Sequence, residues 1–140
     1  MTVSGISEIV LIVSDVPSAA AFYRDVVGLR PESEPDDSWA WFLVRDGKRK
    51  QRLALHTGSL LFEEHSPLGP APRWGPVHFA LEVERSRLDV ALARVRSAGV
   101  DVFGPTPLEW MRALSYYFYD PDGNLLELWS PDPDAPASRT

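Results

Sequence analysis

Apolar and polar positions along the chain fall into short runs with two different periods. Residues 8–13, EIVLIV, are β-branched and predict a strand. Val16, Ala20, Tyr23 and Val27 then recur at helical spacing. Asp15 precedes them as an N-cap, Pro17 falls in the first turn, and Gly28 stands where a C-terminal cap belongs. Residues 29–37 are polar and proline-punctuated, which predicts a loop. WAWFLV at 39–44 and QRLALHT at 51–57 read as two strands joined by a hairpin turn at Asp46 and Gly47.

The same order returns further on. VHFALEV at 77–83 predicts a strand, and Leu88, Ala91, Leu92 and Val95 a helix closed by Gly99. A short strand begins near 100–103 and is expected to break at 104–107, where glycine and two prolines cluster. Residues 116–119 and 125–129 predict two strands around the turn sequence DPDGN at 120–124. The chain therefore contains an internal repeat. Glu8 falls on His78 at an offset of 70, and LALHT at 53–57 falls on LELWS at 126–130 at an offset of 73. Each copy has roughly 55 residues, too few to bury a good core alone, so two copies are expected to share one domain.

Composition narrows the function. There are 14 basic and 20 acidic residues, a net charge of −6, which argues against nucleic acid or an anionic membrane as partner. No cysteine is present, so disulfides, thiolate metal sites and cysteine nucleophiles are excluded. Any metal must be held by imidazole or oxygen. No run of apolar residues is long enough to span a membrane, and the first residues lack a signal-peptide pattern; a soluble, cytoplasmic protein is expected. Four of the 13 prolines lie between His65 and Pro76, marking a linker or surface arm in which His65 is expected to be solvated.

Strand alternation shows where chemistry can reside. Glu8, Val10 and Ile12 share one face; His78, Ala80 and Glu82 share another; Leu125, Glu127 and Trp129 share a third. Glu127 is flanked by leucines, where an unpaired carboxylate is costly, so it needs a cation or an arginine such as Arg112 or Arg52. Trp39, Trp41, Trp110 and Trp129 could line a pocket for a flat ligand, or could simply be core.

The stretches 8–29, 77–83 and 119–131 (the last YDPDGNLLELWSP) resemble the vicinal oxygen chelate superfamily. That superfamily includes glyoxalase I, extradiol dioxygenases, methylmalonyl-CoA epimerase, fosfomycin-resistance transferases and bleomycin-binding proteins. The resemblance implies an α+β fold in which two βαβββ modules form a cupped mixed β-sheet around a central cleft. One such domain would span residues 6–131, with module one at 6–64, the linker at 65–76, module two at 77–131 and a disordered tail at 132–140.

The resemblance also implies a divalent metal, Mn, Fe, Ni, Zn or Mg, held by His78 and Glu127. The third ligand position falls on Glu8, where the family usually has histidine. A set of one imidazole and two carboxylates favours Mn or Mg. Glu8 and Glu127 are then the catalytic candidates, Glu8 as proton-transfer base. His56, Trp39, Trp41, Trp129 and Arg112 are the substrate-binding candidates. The implied activity is a metal-dependent lyase, isomerase, dioxygenase or transferase acting on a small molecule with vicinal oxygens. The alternative is a metal-free protein of the bleomycin-resistance type that sequesters an aromatic or antibiotic ligand. By analogy the chain is expected to form a homodimer.

Overall fold

The computed structural model describes residues 2, 4–58, 76–108 and 112–134. His65, Trp110, residues 65–75 of the expected linker and residues 135–140 of the expected tail lie outside them. The chain divides into two compact units, Met1–Gly75 and Pro76–Thr140. Each is built on a four-stranded mixed sheet, and the fold is α+β.

In the first unit, β1 (Glu8–Ile12) leads into α1 (Val16–Ala21), which is continued by a wider π turn over Phe22–Val27. Asp15 caps the helix as expected: its Oδ1 accepts the Ser18 N–H at 2.7 Å. Gly28 ends it at φ +87°. Then follow β2 (Arg30–Pro31), β3 (Trp39–Arg45) and β4 (Gln51–His56). The spatial order is β1-β4-β3-β2, with β1 parallel to β4 and the other pairs antiparallel. Strand alternation divides the sheet: Leu11, Ala40, Phe42, Leu53 and Leu55 are buried with Val16, Ala20 and Tyr23 of the helical segment. The Tyr23 and Phe42 rings lie 6.2 Å apart. Glu8, Val10, Ile12, Trp39, Trp41, Arg52 and His56 occupy the other, open face and are half-buried or exposed, with Ala54 buried among them.

The second unit repeats this plan. β5 (His78–Glu82) is followed by a short 3₁₀ turn at Arg85–Arg87, α2 (Leu88–Ser97), β6 (Phe103–Leu108), β7 (Ala113–Tyr119) and β8 (Leu125–Pro131). The order is β5-β8-β7-β6, with β5 parallel to β8. Register bears out the repeat pair by pair. Glu8 faces Arg52 and Ile12 faces His56; in the second sheet His78 faces Leu125 and Glu82 faces Trp129. Leu88, Leu92 and Val95 form the buried side of α2, while Phe118, Leu126 and Leu128 are the large apolar side chains buried in the sheet.

Three expectations need correction, all where neighbouring strands override local composition. Residues 30–31, read as loop, pair with β3 as a two-residue edge strand; Pro31 is tolerated because an edge strand has no outer partner to donate to. Residues 104–107, read as a break, are part of β6, another edge strand, whose register against β7 shifts between Phe103 and Thr106. Gly104 makes this possible. Its φ is +122°, and a Cβ there would lie 2.8 Å from the Ser115 carbonyl oxygen. Finally, β8, expected over 125–129, extends through Ser130 and Pro131. Asp132 N–H then donates to the Arg112 carbonyl at 2.7 Å.

Candidate functional site

The second sheet brings two of the candidate residues together. Glu127 is in β8, a central strand between β5 and β7, and only 7% of it is exposed. A carboxylate in that position requires partners. Neither arginine considered for the role supplies one: Arg112 pairs with Asp132 at 2.8 Å, and Arg52 pairs with Glu32. Instead, the Ser115 hydroxyl donates to Glu127 Oε1, and His78 Nε2 lies 3.2 Å from Oε2.

His78 is oriented by a second contact. Its Nδ1 lies 3.1 Å from the Leu125 carbonyl oxygen, across the parallel β5–β8 pair. A carbonyl only accepts, so Nδ1 carries a proton, and Nε2 is the ring nitrogen turned toward Glu127. A carbonyl on the distal nitrogen is the usual arrangement behind a metal-binding histidine. The His78 side chain is 49% exposed, so this nitrogen is reachable from solvent. Tyr117, the antiparallel neighbour of Glu127, lies alongside with its ring centroid 6.2 Å from that of His78. Trp129 follows on the same face, and among the described residues its buried Nε1–H has no acceptor.

Ser115 is the functional neighbour that the sequence reading missed. A lone serine within ALSYYFY carries no chemical signature. The turn at 120–124 does hold a usable signal, because it fixes hairpin register: Tyr119 faces Leu125, Tyr117 faces Glu127 and Ser115 faces Trp129. Counting back from the turn places Ser115 on the face of Glu127, one pair away.

The first sheet arranges its open face differently. Glu8 begins β1, is exposed, and has Arg52 as its register partner. Arg52 donates through Nε to Glu32 Oε2 at 2.5 Å and through Nη2 to Oε1 at 3.0 Å; Lys50 Nζ adds a contact at 3.2 Å. The Arg52 hydrogen bonds are the main reason that the Glu32 carboxyl drops to about 2. The Arg52 guanidinium is correspondingly held above its usual value, chiefly by Glu32 and in part by Glu8. Glu8 thus has a cation beside it already.

Further along the same face, Trp39 lies between two rings. Trp41 is stacked on it at 5.2 Å with planes 9° apart, and His56 at 3.8 Å with planes 14° apart. The His56 Nδ1 donates to the Ser38 carbonyl at 2.7 Å, which sets the imidazole plane. Asp36 accepts the N–H groups of Ser38 and Trp39, each at 2.7 Å, and so anchors the start of β3.

Among the described residues, no three His, Asp or Glu side chains gather as a metal-binding group. The pair His78 and Glu127 nonetheless offers what a borderline divalent cation takes, one imidazole nitrogen and one carboxylate oxygen, both pre-oriented. Arg112 has φ +49° and its guanidinium also donates to the Asp134 carbonyl, so it ties the start of β7 to the segment after β8.

A family model for the Glyoxalase/Bleomycin resistance protein/Dioxygenase superfamily matches residues 5–128. The chain belongs to that superfamily. Several solved structures are similar over most of both chains. An integron cassette protein from V. cholerae is 28% identical, with a TM-score of 0.70 and coverage of 94% of this chain and 98% of its own. The antibiotic binding protein TnmS3 from Streptomyces sp. CB03234 is 26% identical, with a TM-score of 0.65 and coverage of 94% and 99%. The fosfomycin resistance protein FosX from Mesorhizobium loti is 25% identical, with a TM-score of 0.64 and coverage of 94% and 96%. No curated protein matches the chain. Among the described residues no helix is long and apolar enough to cross a membrane.

Proposed function

We propose that this superfamily member is a metal-dependent enzyme acting on a small molecule with vicinal oxygens, and that His78 and Glu127 hold its divalent ion. One observation carries the reading. His78 Nε2 and Glu127 Oε2 lie 3.2 Å apart, and each side chain is tied at its far end, by the Leu125 carbonyl and by Ser115. A bound divalent ion would supply Lewis-acid polarisation of substrate oxygens. Trp129 supports an oxygen-rich substrate, because its indole N–H, on the face of Glu127, is a buried donor without an acceptor among the described residues. The pair, rather than Glu8, carries this reading; Glu8 lies in the first unit with Arg52 as its register partner.

A second reading, a metal-free protein that sequesters an aromatic ligand, is favoured by the stacked rings of Trp39, Trp41 and His56. The likeness to the antibiotic binding protein TnmS3 points the same way. One experiment addresses both. Gently purified protein is assayed for metal content, and the metal-free form is screened by thermal shift against Mn, Fe, Ni, Zn and Mg ions and against aromatic cations. The first reading expects bound metal or an ion-induced shift in the wild type, lost in Glu127→Gln. No shift with any ion rejects it, and a shift with the aromatic cations alone supports the second. Glu8→Gln is the companion variant. If it keeps the ion, the pair suffices; if it loses the ion, Glu8 joins the ligand set.

A further inference from the structure

We infer that Ser115 is the positioning residue of the His78–Glu127 pair: its hydroxyl holds the Glu127 carboxylate in the rotation that presents Oε2 to a divalent cation. This rests on the proposed role of the pair and extends it to a residue that neither the sequence pattern nor the family match assigns. Ser115 is fully buried in the middle of β7, and its one hydroxyl proton goes to Glu127 Oε1. Glu127 is gripped from both neighbouring strands, by Ser115 beside Trp129 on one flank and by His78 beside Leu125 on the other. Each contact takes a different oxygen. With Oε1 occupied by a hydroxyl, the carboxylate plane cannot turn to offer both oxygens to one ion, and Oε2 is left as the oxygen beside the imidazole.

The repeat shows why a small hydroxyl stands here. Under the offset of 73, Trp129 corresponds to His56, and the β3 residue facing His56 is Trp39. Ser115 therefore holds the place that Trp39 takes in the first sheet. A ring at that position would fill the volume into which the Glu127 side chain reaches, and an alanine would free the volume but leave Oε1 buried with no donor. Such an oxygen is costly to keep charged. The carboxylate is then no longer held in the rotation that presents Oε2, and the cation loses its ligand.

The test measures Mn²⁺ affinity of the metal-free full-length protein by calorimetry, with the loss of the free-ion electron paramagnetic resonance signal as a second readout. Ser115→Ala is expected to bind Mn²⁺ about 10- to 100-fold more weakly, the range for loss of a group that orients a metal ligand. Ser115→Thr, which keeps the hydroxyl, restores most of the affinity. Ser130→Ala separates positioning from general weakening of the sheet. Ser130 is also fully buried, in β8, but it serves Arg85, whose Nε donates to its Oγ at 3.1 Å. That variant is expected to lose stability and keep wild-type affinity. Infrared difference spectra of the metal-free proteins give a signature independent of any ion. The carboxylate band that disappears in Glu127→Gln is expected to shift in Ser115→Ala and not in Ser130→Ala. Wild-type affinity in Ser115→Ala, or equal losses in Ser115→Ala and Ser130→Ala, overturns the inference while the proposed function stands. Absence of Mn²⁺ binding by the wild type overturns both.

Discussion

The open faces of the two sheets share a frame and differ in what fills it. Position by position, Ile12, His56 and Trp39 in the first sheet correspond to Glu82, Trp129 and Ser115 in the second. Val10, Ala54 and Trp41 correspond to Ala80, Glu127 and Tyr117. In the first sheet the volume belongs to β3, where two indoles lie over a small Ala54. In the second it has moved to β8, and a serine on β7 makes room for a buried acid. The charge pattern differs as well. The acid of the first face, Glu8, is exposed, with an arginine as its register partner on the next strand, whereas that of the second, Glu127, is buried and met by a hydroxyl and an imidazole. The second face holds its acid beside an imidazole, and the first holds its acid beside a guanidinium. Duplicated backbone geometry thus leaves the chemistry of each face free to be set by which strand carries the bulk.

Moving the acid breaks this comparison most severely. Ala54 is completely buried, and it has no equivalent of Ser115 beside it because Trp39 fills that place. Ala54→Glu should therefore cost about 3–5 kcal/mol, the penalty of a buried charge left without a partner, or shift to a protonated acid at a similar cost. Urea unfolding curves check this. A loss below about 1 kcal/mol would mean that the first face can shelter a carboxylate as the second does, and the two faces would then be equivalent.

Exchanging the bulk is gentler. Trp39→Ser gives the first face the residue of the second and removes the middle plate of a three-ring stack. Two ring–ring contacts are lost, each worth about 0.5–1.5 kcal/mol, so a total near 1–3 kcal/mol is expected. The exciton couplet that parallel indoles 5.2 Å apart give in circular dichroism should vanish in the same variant. A couplet that survives would place the coupled indoles elsewhere in the chain.

What was legible in the sequence follows the same division between frame and filling. The strands β1, β4, β5 and β8 announce themselves by β-branched runs and alternation, and the caps at Asp15, Gly28 and Gly99 bound the helices. Their repetition showed two copies of one plan, and the superfamily resemblance of 8–29, 77–83 and 119–131 supplied the fold. The edge strand β2 and all but the start of β6 were not legible, because their pairing is supplied by β3 and β7 while their own prolines argue against it. At the site, Glu127 was conspicuous as an acid among leucines and His78 as the polar residue that opens a repeat. Their partners were not, because a carbonyl and a single serine act through register rather than through residue type. Arg52 and Arg112 were plausible partners on charge alone, yet each pairs with a carboxylate of its own unit, Glu32 and Asp132.

The smallest expected effect separates the two faces by pH. The first unit holds Glu32 with its carboxyl lowered from an ordinary 4.5 to about 2, mainly by the Arg52 hydrogen bonds and then by Lys50. A depressed carboxyl stabilises the folded chain at pH values above its unfolded pKa and loses that contribution as pH falls through its folded one. The advantage that Glu32 confers should be complete above 4.5 and should fade between 4.5 and about 2. Glu32 is a surface group, screened by water and salt, so the gain is small and should shrink as salt is added. Melting temperatures of the wild type and Glu32→Gln, followed from neutral pH downward, should differ slightly at first and converge across that window. A gap that stays constant would show that Glu32 acts through packing and not through its charge. The ionic cluster around Arg52 would then no longer account for the difference between the two faces, and Glu8 would return as a carboxylate with a charge to spare.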